Sequence, residues 1–226
     1  MLSPEDITAL WITLRLASVT TAILLLVGTP LAWWLAHSRS AVKPVVDAIV
    51  TLPLILPPTV LGFYLLLALG PQGPIGRLVE FAGGQPLAFT FTGLVIGSVV
   101  YSFPFVVKPL QDAFANIGTR PLEVAATLRA SPIDRFFTVV LPLARPGYLT
   151  ATVLGFAHTL GEFGVVLMIG GNIPGATQVL SISIYDHVEM LEYGQAHLLS
   201  AILLILSFLL LLSVYVLNRR LHILRT

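Results

Sequence analysis

Glu123-Val-Ala-Ala-Thr-Leu-Arg-Ala-Ser-Pro-Ile-Asp-Arg-Phe-Phe-Thr-Val-Val-Leu-Pro142 is a short polar interruption between long apolar runs, in a sequence of 226 residues that is 56% hydrophobic. Its local chemistry predicts two short helices joined by a turn. Pro121 suits the first turn of a helix, where a missing N–H costs nothing, and Leu122 to Leu128 contains no breaker. Ser131-Pro132-Ile133-Asp134 reads as a second start, with the Ser131 hydroxyl capping, Pro132 at the first helical position and the Asp134 carboxylate at the third. The second helix is expected to run to about Leu141. Its apolar residues Ile133, Phe136, Phe137 and Val140 recur at helical spacing, so they are expected to pack together on the membrane domain while Asp134, Arg135 and Thr138 point elsewhere.

Outward from this loop, hydrophobic runs lie at roughly 7–36, 45–69, 87–107, 147–169 and 196–217. Each is near or above the ~20 residues that cross a bilayer as helix. The expected fold is all-α: one polytopic transmembrane domain over residues 1–226, with five spans and the polar loop at 120–142. Runs this long exclude barrel strands. The first run is too long, and Met1 to Asp6 too acidic, for a cleaved signal peptide. Ile173 to Tyr185 is interrupted by Pro174, Gly175 and Gln178, and reads as a surface loop or a re-entrant piece.

Only 10% of residues are charged, and their distribution sets orientation, because loops rich in Lys and Arg stay cytoplasmic. Of the 12 basic residues, Arg39, Lys43, Lys108, Arg120, Arg129, Arg135, Arg145, Arg219, Arg220 and Arg225 fall on one face. The other carries Arg77 with Glu5, Asp6, Glu80, Asp186, Glu189 and Glu192. The N-terminus is therefore expected outside, the C-terminus inside, and loop 120–142 in the cytoplasm. A loop so placed reads as a socket for a soluble partner. The absence of cysteine removes disulfides, thiolate metal sites and cysteine nucleophiles. No Gly-x-x-x-x-Gly-Lys-Ser/Thr loop occurs, so this chain is expected to bind no nucleotide of its own.

Within the spans, Leu52-Pro53-Leu54-Ile55-Leu56-Pro57-Pro58-Thr59 must break or kink its helix, because each proline removes a backbone hydrogen bond. Such interruptions are where substrate routes form, so Pro53, Pro57, Pro58 and Thr59 are pathway or gate candidates. Pro104 is expected to act likewise in the third span. His158 and Glu162 lie four apart in the fourth span and join the gate candidates, read as a hydrogen-bonded pair facing the bundle interior. No metal site is expected, since further ligands are lacking and no His-Glu-x-x-His arrangement occurs. Lys43 and Asp47, also four apart, are expected to pair locally.

The loop also resembles a known pattern: the Glu-Ala-Ala loop of binding-protein-dependent ABC importers, with Gly six positions after the Glu and a closing apolar-x-Leu-Pro. Glu123, Ala125, Ala126, Val139, Leu141 and Pro142 match it. Val124 replaces an Ala, and Arg129 replaces the Gly. Glycine there would permit a left-handed turn, so either the turn differs in this chain or Arg129 takes the strain. With Leu52 to Gly62, Gly73-Pro-Ile-Gly76, Leu160-Gly-Glu-Phe-Gly164 and Asn172-Ile-Pro-Gly175, the chain as a whole resembles the permeases of molybdate ABC importers, of which sulfate permeases are near relatives.

The resemblance implies a type I importer permease in the bacterial inner membrane, importing molybdate or tungstate. It implies a homodimer in lipid, two cytoplasmic ATPase subunits that carry the ATP and Mg, an extracytoplasmic molybdate-binding protein, and no nucleic acid. It assigns coupling to Glu123, Val124, Ala125, Ala126, Leu128, Arg129, Ala130, Ser131 and Pro132, with closure at Val139, Leu141 and Pro142. The alternatives are a sulfate or thiosulfate permease, a channel, and an intramembrane enzyme using His158 and Glu162.

Overall fold

The computed structural model describes residues 2–223 and the side chains of residues 2–217. Met1 and Arg225 lie outside the described residues, as do the side chains of Asn218, Arg219 and Arg220. Helix α1 (Pro4–His37) starts from a reciprocal cap: the Ser3 hydroxyl oxygen accepts the Asp6 N–H at 3.0 Å, and the Asp6 carboxylate accepts the Ser3 N–H at 3.2 Å. The second apolar run forms two helices, α2 (Lys43–Ile55) and α3 (Pro58–Leu69), because consecutive Pro57 and Pro58 remove adjacent donors and hold Leu56 and Pro57 extended. A short amphipathic helix α4 (Pro74–Phe81) follows.

Helix α5 (Phe91–Ile117) begins at the Thr90 cap and ends at Gly118, whose φ of 68° only glycine adopts cheaply. It runs unbroken through Pro104 and Pro109, which corrects the expectation that Pro104 interrupts this span. These prolines are separated, so each removes one bond while its neighbours hold the ladder. The polar loop forms α6 (Arg120–Thr127) and α7 (Pro132–Arg135), and α7 does not stop near Leu141. It passes through a π turn (Phe136–Val140) directly into α8 (Leu141–Leu160). Pro142 explains the π turn: its ring would press on the carbonyl four residues back, and widening the helix so that the Leu141 N–H reaches the Phe136 carbonyl relieves that contact. After a break at Gly161–Phe163 come α9 (Gly164–Gly170), α10 (Leu180–Glu189) and α11 (Tyr193–Ile223).

Among the described residues, five stretches are long and apolar enough to cross a membrane: Pro4–His37, Pro58–Phe81, Phe91–Ile117, Pro132–Leu160 and Tyr193–Leu217. The second and fourth depart from the apolar runs at 45–69 and 147–169 because the breaks at Leu56-Pro57 and Gly161–Phe163 cut both runs. Helix α5 is the centre of the bundle, with α1 and α8 packed against it and Leu24, Leu35, Val106, Leu110, Phe114 and Ala151 buried between them. Contact is closest at Gly147, where a Cβ would fall 2.2 Å from that of Ala113. Helix α11 packs on α8 and α10 and leaves Leu204, Phe208 and Tyr215 exposed, as expected of a helix facing lipid.

Polar side chains tie elements together at both ends of the bundle. Asp47 of α2 pairs with Lys108 of α5 at 2.6 Å rather than with Lys43, which corrects the expected local pair: its carboxylate faces the neighbouring helix. At the opposite end of the bundle, Asp6 is 2% exposed and accepts hydrogen bonds from the Ser183 hydroxyl at 2.7 Å and from His187 Nε2 at 3.0 Å. The other ring nitrogen of His187 reaches Glu192 at 2.8 Å. Burial opposes the charged form of His187, but its bonds to Asp6 and Glu192 outweigh that and raise its pKa above the usual 6.5. The tie between α1 and α10 is therefore complete below pH 6.5 and is lost as pH rises through the higher folded value. His187→Asn is expected to lower the melting temperature of the detergent-purified protein at pH 6 and to shrink its decline toward pH 9; an identical decline in both proteins contradicts the tie.

Candidate functional site

The two helix breaks meet. Pro57-Pro58 and Gly161–Phe163 each fall within an apolar run, and a Cβ on Gly164 would lie 2.8 Å from Pro58 Cβ, so only glycine lets α9 approach the start of α3 this closely. Backbone groups freed at the breaks are answered by protein. The Val60 N–H reaches the Pro57 carbonyl at 2.9 Å, the Leu167 N–H reaches the Phe163 carbonyl at 2.9 Å, and the Ser181 hydroxyl of α10 donates to the Glu162 carbonyl at 2.5 Å.

Between the breaks lies an open cavity of about 520 Å³ lined by Pro58, Thr59, Tyr101, Ala157, His158, Gly161, Glu162, Phe163 and Gly164. Of the gate candidates, the structure gathers Pro58, Thr59, His158 and Glu162 here. Pro53 is buried within α2, and Pro57 forms the break without lining the cavity. His158 and Glu162 do not form the expected pair. His158 Nδ1 instead bonds the Ser102 hydroxyl at 2.9 Å, and its ring stacks on Phe105 with centroids 3.8 Å apart. Glu162 is 3% exposed, and its carboxyl oxygens are shut off from solvent beside the buried Ser98 hydroxyl of α5, without a well-aligned hydrogen bond. The pairing fails because α8 ends at Leu160: past the helix, four-residue spacing no longer stacks side chains. Sequence reasoning missed Tyr101 and Ser102, although both stand beside Pro104 in a stretch singled out for its proline. Among the described residues, no group of three His, Cys, Asp or Glu is placed to hold a metal ion.

The second feature is loop 120–142 at the other end of α8. Leu122 and Phe136 pack against the main core, Phe136 edge-on to Trp33 at 6.0 Å, and Ala125 and Val140 are buried. These four side chains hold the loop to the bundle. Ile133 and Phe137 were expected on the same face, yet they are 72% and 60% exposed; the π turn changes the helical phase within the stretch. Val124 and Leu128, four apart on α6, are exposed as well, and so are Glu123 and Arg129 of the same loop.

The turn between α6 and α7 resolves the question raised by Arg129, whose φ is 61°. The Ala130 N–H bonds the Ala125 carbonyl at 3.1 Å and the Arg129 N–H bonds the Ala126 carbonyl at 3.0 Å, which is the Schellman arrangement that normally ends on glycine. Arginine therefore keeps the glycine geometry and bears its strain. Ser131 caps the next helix by accepting the Asp134 N–H at 3.1 Å.

Comparison with known proteins gives this geometry its context. Residues 28–223 match the family model described as binding-protein-dependent transport system inner membrane component. The molybdenum transport system permease protein ModB of Azotobacter vinelandii is 63% identical over 214 residues, which cover 95% of each chain. A probable sulfate transport system permease protein of Helicosporidium is 31% identical over 215 residues, 95% of this chain and 79% of that one. Among solved structures, inward-facing conformations of the MetNI methionine ABC transporter superpose with a TM-score of 0.75 at 20% identity, covering 98% of this chain and 99% of that one.

Arg129→Gly is expected to stabilise the turn by about 1 kcal/mol, since it removes the left-handed strain of a side-chain-bearing residue. Slower hydrogen exchange at the amides of Arg129 and Ala130 is the readout; unchanged or faster exchange contradicts the assignment of strain.

Proposed function

We propose, for a chain that belongs to the binding-protein-dependent transport system inner membrane components, that it is the permease subunit of an ATP-driven importer of molybdate. The observation that carries this reading is the exposed apolar side chains of loop 120–142, which is anchored from beneath and continuous with a spanning helix. The molybdenum permease relative supplies the anion. The sulfate permease relative favours sulfate as a second reading, which competition between the two anions for uptake separates.

The basic residues around the loop favour a cytoplasmic position for it, with the acidic end outside. A divalent anion moving inward against an inside-negative potential climbs about 2.3 kcal/mol per charge for each 100 mV, and roughly double that for two charges. Passive flow would run outward, so work must be supplied. The sequence contains no phosphate-binding nucleotide loop. In this reading ATP and Mg²⁺ are held by two cytoplasmic ATPase subunits, docked on the loops of two copies of this chain, and a separate extracytoplasmic protein captures the anion.

The continuous helix gives the work a route. Val124, Leu128, Ile133 and Phe137 meet the ATPase, and Glu123 and Arg129 border the contact. Movement imposed on α7 passes through the π turn to α8, which carries His158 and ends at the break beside Pro58. Pushing or rotating α8 thus alters the cavity between the two breaks. Ala125, Leu122, Phe136 and Val140 prevent the loop from moving independently of the bundle.

Glu123→Lys reverses the charge at the border of the docking surface without touching the buried anchors. It is expected to lower molybdate uptake by reconstituted vesicles at least tenfold, through loss of the ATPase from the complex or through ATP hydrolysis uncoupled from uptake. Normal uptake with normal recovery of the complex contradicts the socket.

A further inference from the structure

Helix α10 is fastened along its length to several other parts of its end of the bundle. At its start the Leu180 N–H donates to the Thr13 hydroxyl of α1 at 2.8 Å, and the Ser181 hydroxyl donates to the Glu162 carbonyl in the break after α8. The Tyr185 ring lies against that of Phe163, with centroids 5.2 Å apart, so α10 backs two residues that line the cavity. Asp186 accepts from the side-chain amides of Asn172 and Gln178, both at 2.9 Å, which holds the loop after α9. Ser183 and His187 both reach Asp6 of α1.

The His187 fastening differs from the others in kind. It has a carboxylate on each ring nitrogen, Asp6 at 3.0 Å and Glu192 at 2.8 Å, and an ionised carboxylate only accepts. Both nitrogens must therefore donate, which only the imidazolium can do. A neutral ring would turn one nitrogen lone pair toward a carboxylate, and one arm of the bridge would be lost. The turn after α10 is built to supply the second arm. Leu191 stands at a φ of 62°, strained for a leucine, while the Glu192 N–H bonds the His187 carbonyl at 2.8 Å; this fold of the chain brings Glu192 back beneath the ring.

His187 is faced from α1 by Asp6 and from the turn into α11 by Glu192. Helix α11 itself carries no Asp, Glu, Lys or Arg through Leu217, and its His197 is exposed. On α10, Asp186 is taken up by Asn172 and Gln178, and Glu189 accepts from the Tyr185 hydroxyl. The two carboxylates on the ring outweigh its partial burial and keep it charged above its ordinary range.

We propose that α10 is a strap, held down by the imidazolium of His187 between Asp6 and Glu192 and released when that ring gives up a proton. Release loosens the hold that Ser181 and Tyr185 have on the break beside the cavity. In the importer reading, on which this consequence alone rests, the wall of the cavity backed by α10 yields to the outer side more readily as the outside turns alkaline.

The test is hydrogen exchange of the full chain in detergent at pH 6 and pH 9, each rate divided by that of a free amide at the same pH. Amides of Ser183 to Glu189 are expected to lose protection about tenfold or more between the two, the size of a hydrogen bond to a charged group, while those of Leu94 to Leu110 in α5 keep theirs. His187→Gln cannot donate to both carboxylates and is expected to show the alkaline level at both pH values. Glu192→Gln lessens the negative charge on the ring and is expected to move the loss to lower pH, which decides alone should His187→Gln fail to fold. Equal losses in wild type and His187→Gln, an unmoved loss in Glu192→Gln, or a loss shared by α5 would overturn the strap.

Uptake of molybdate by the assembled complex in liposomes, with the inside pH fixed, is expected to rise with outside pH in wild type and not in His187→Gln. Identical dependence in both, with the exchange difference present, overturns the link to the cavity. A complex that imports neither molybdate nor sulfate overturns the importer reading, and the exchange result still judges the strap.

Discussion

Backbone that leaves helical geometry inside an apolar medium must find its hydrogen bonds within the protein, and this constraint organises the molecule. Two of the long apolar runs are interrupted, one at Pro57-Pro58 and one at Gly161–Phe163. Neither break is tolerable alone in lipid. They are stable because they lie against each other, because Gly164 lets the start of α3 come close, and because Ser181 reaches across from α10 to the carbonyl of Glu162. The cavity is the space left where two helices that would otherwise pack side by side both stop.

The loop at the other end of α8 follows the same logic of anchored irregularity. Its inward side chains, Leu122, Ala125, Phe136 and Val140, are packed, and its outward ones, Val124, Leu128, Ile133 and Phe137, are apolar and bare. Bare apolar side chains of this kind are what the proposed docking would cover. The π turn joins the two functions. By absorbing Pro142 without a break it keeps the loop and the cavity on one continuous helix, the route that the proposed coupling requires.

Much of this was legible in the sequence, for identifiable reasons. The helix-turn-helix of the loop follows from Pro121, Ser131 and Pro132, whose effects are local, and the break in the second span follows from consecutive prolines. What escaped depends on neighbours. Pro104 and Pro142 each look like interruptions, and only the surrounding ladder shows that α5 tolerates one and that a wider turn absorbs the other. Asp47 has a basic residue four positions away, yet the partner it takes is Lys108 on another helix. His158 and Glu162 look paired at helical spacing until the helix ends between them. Arg129 could be recognised as a departure from a glycine pattern, but whether it kept the glycine's turn is a matter of φ, which no residue type dictates.

The chain contains no cysteine, so one introduced thiol reports on one place. Leu128→Cys puts that thiol at the most exposed apolar position of the loop, 79% accessible, in the assembled importer within sealed membrane vesicles. A socket for a cytoplasmic motor predicts crosslinking of this residue to the ATPase subunit, and labelling by a membrane-impermeant thiol reagent only when the cytoplasmic face is open to it and the ATPase has been removed. Labelling from the outer face, or full reactivity with the ATPase in place, would contradict both the orientation of the chain and the site at which force enters it.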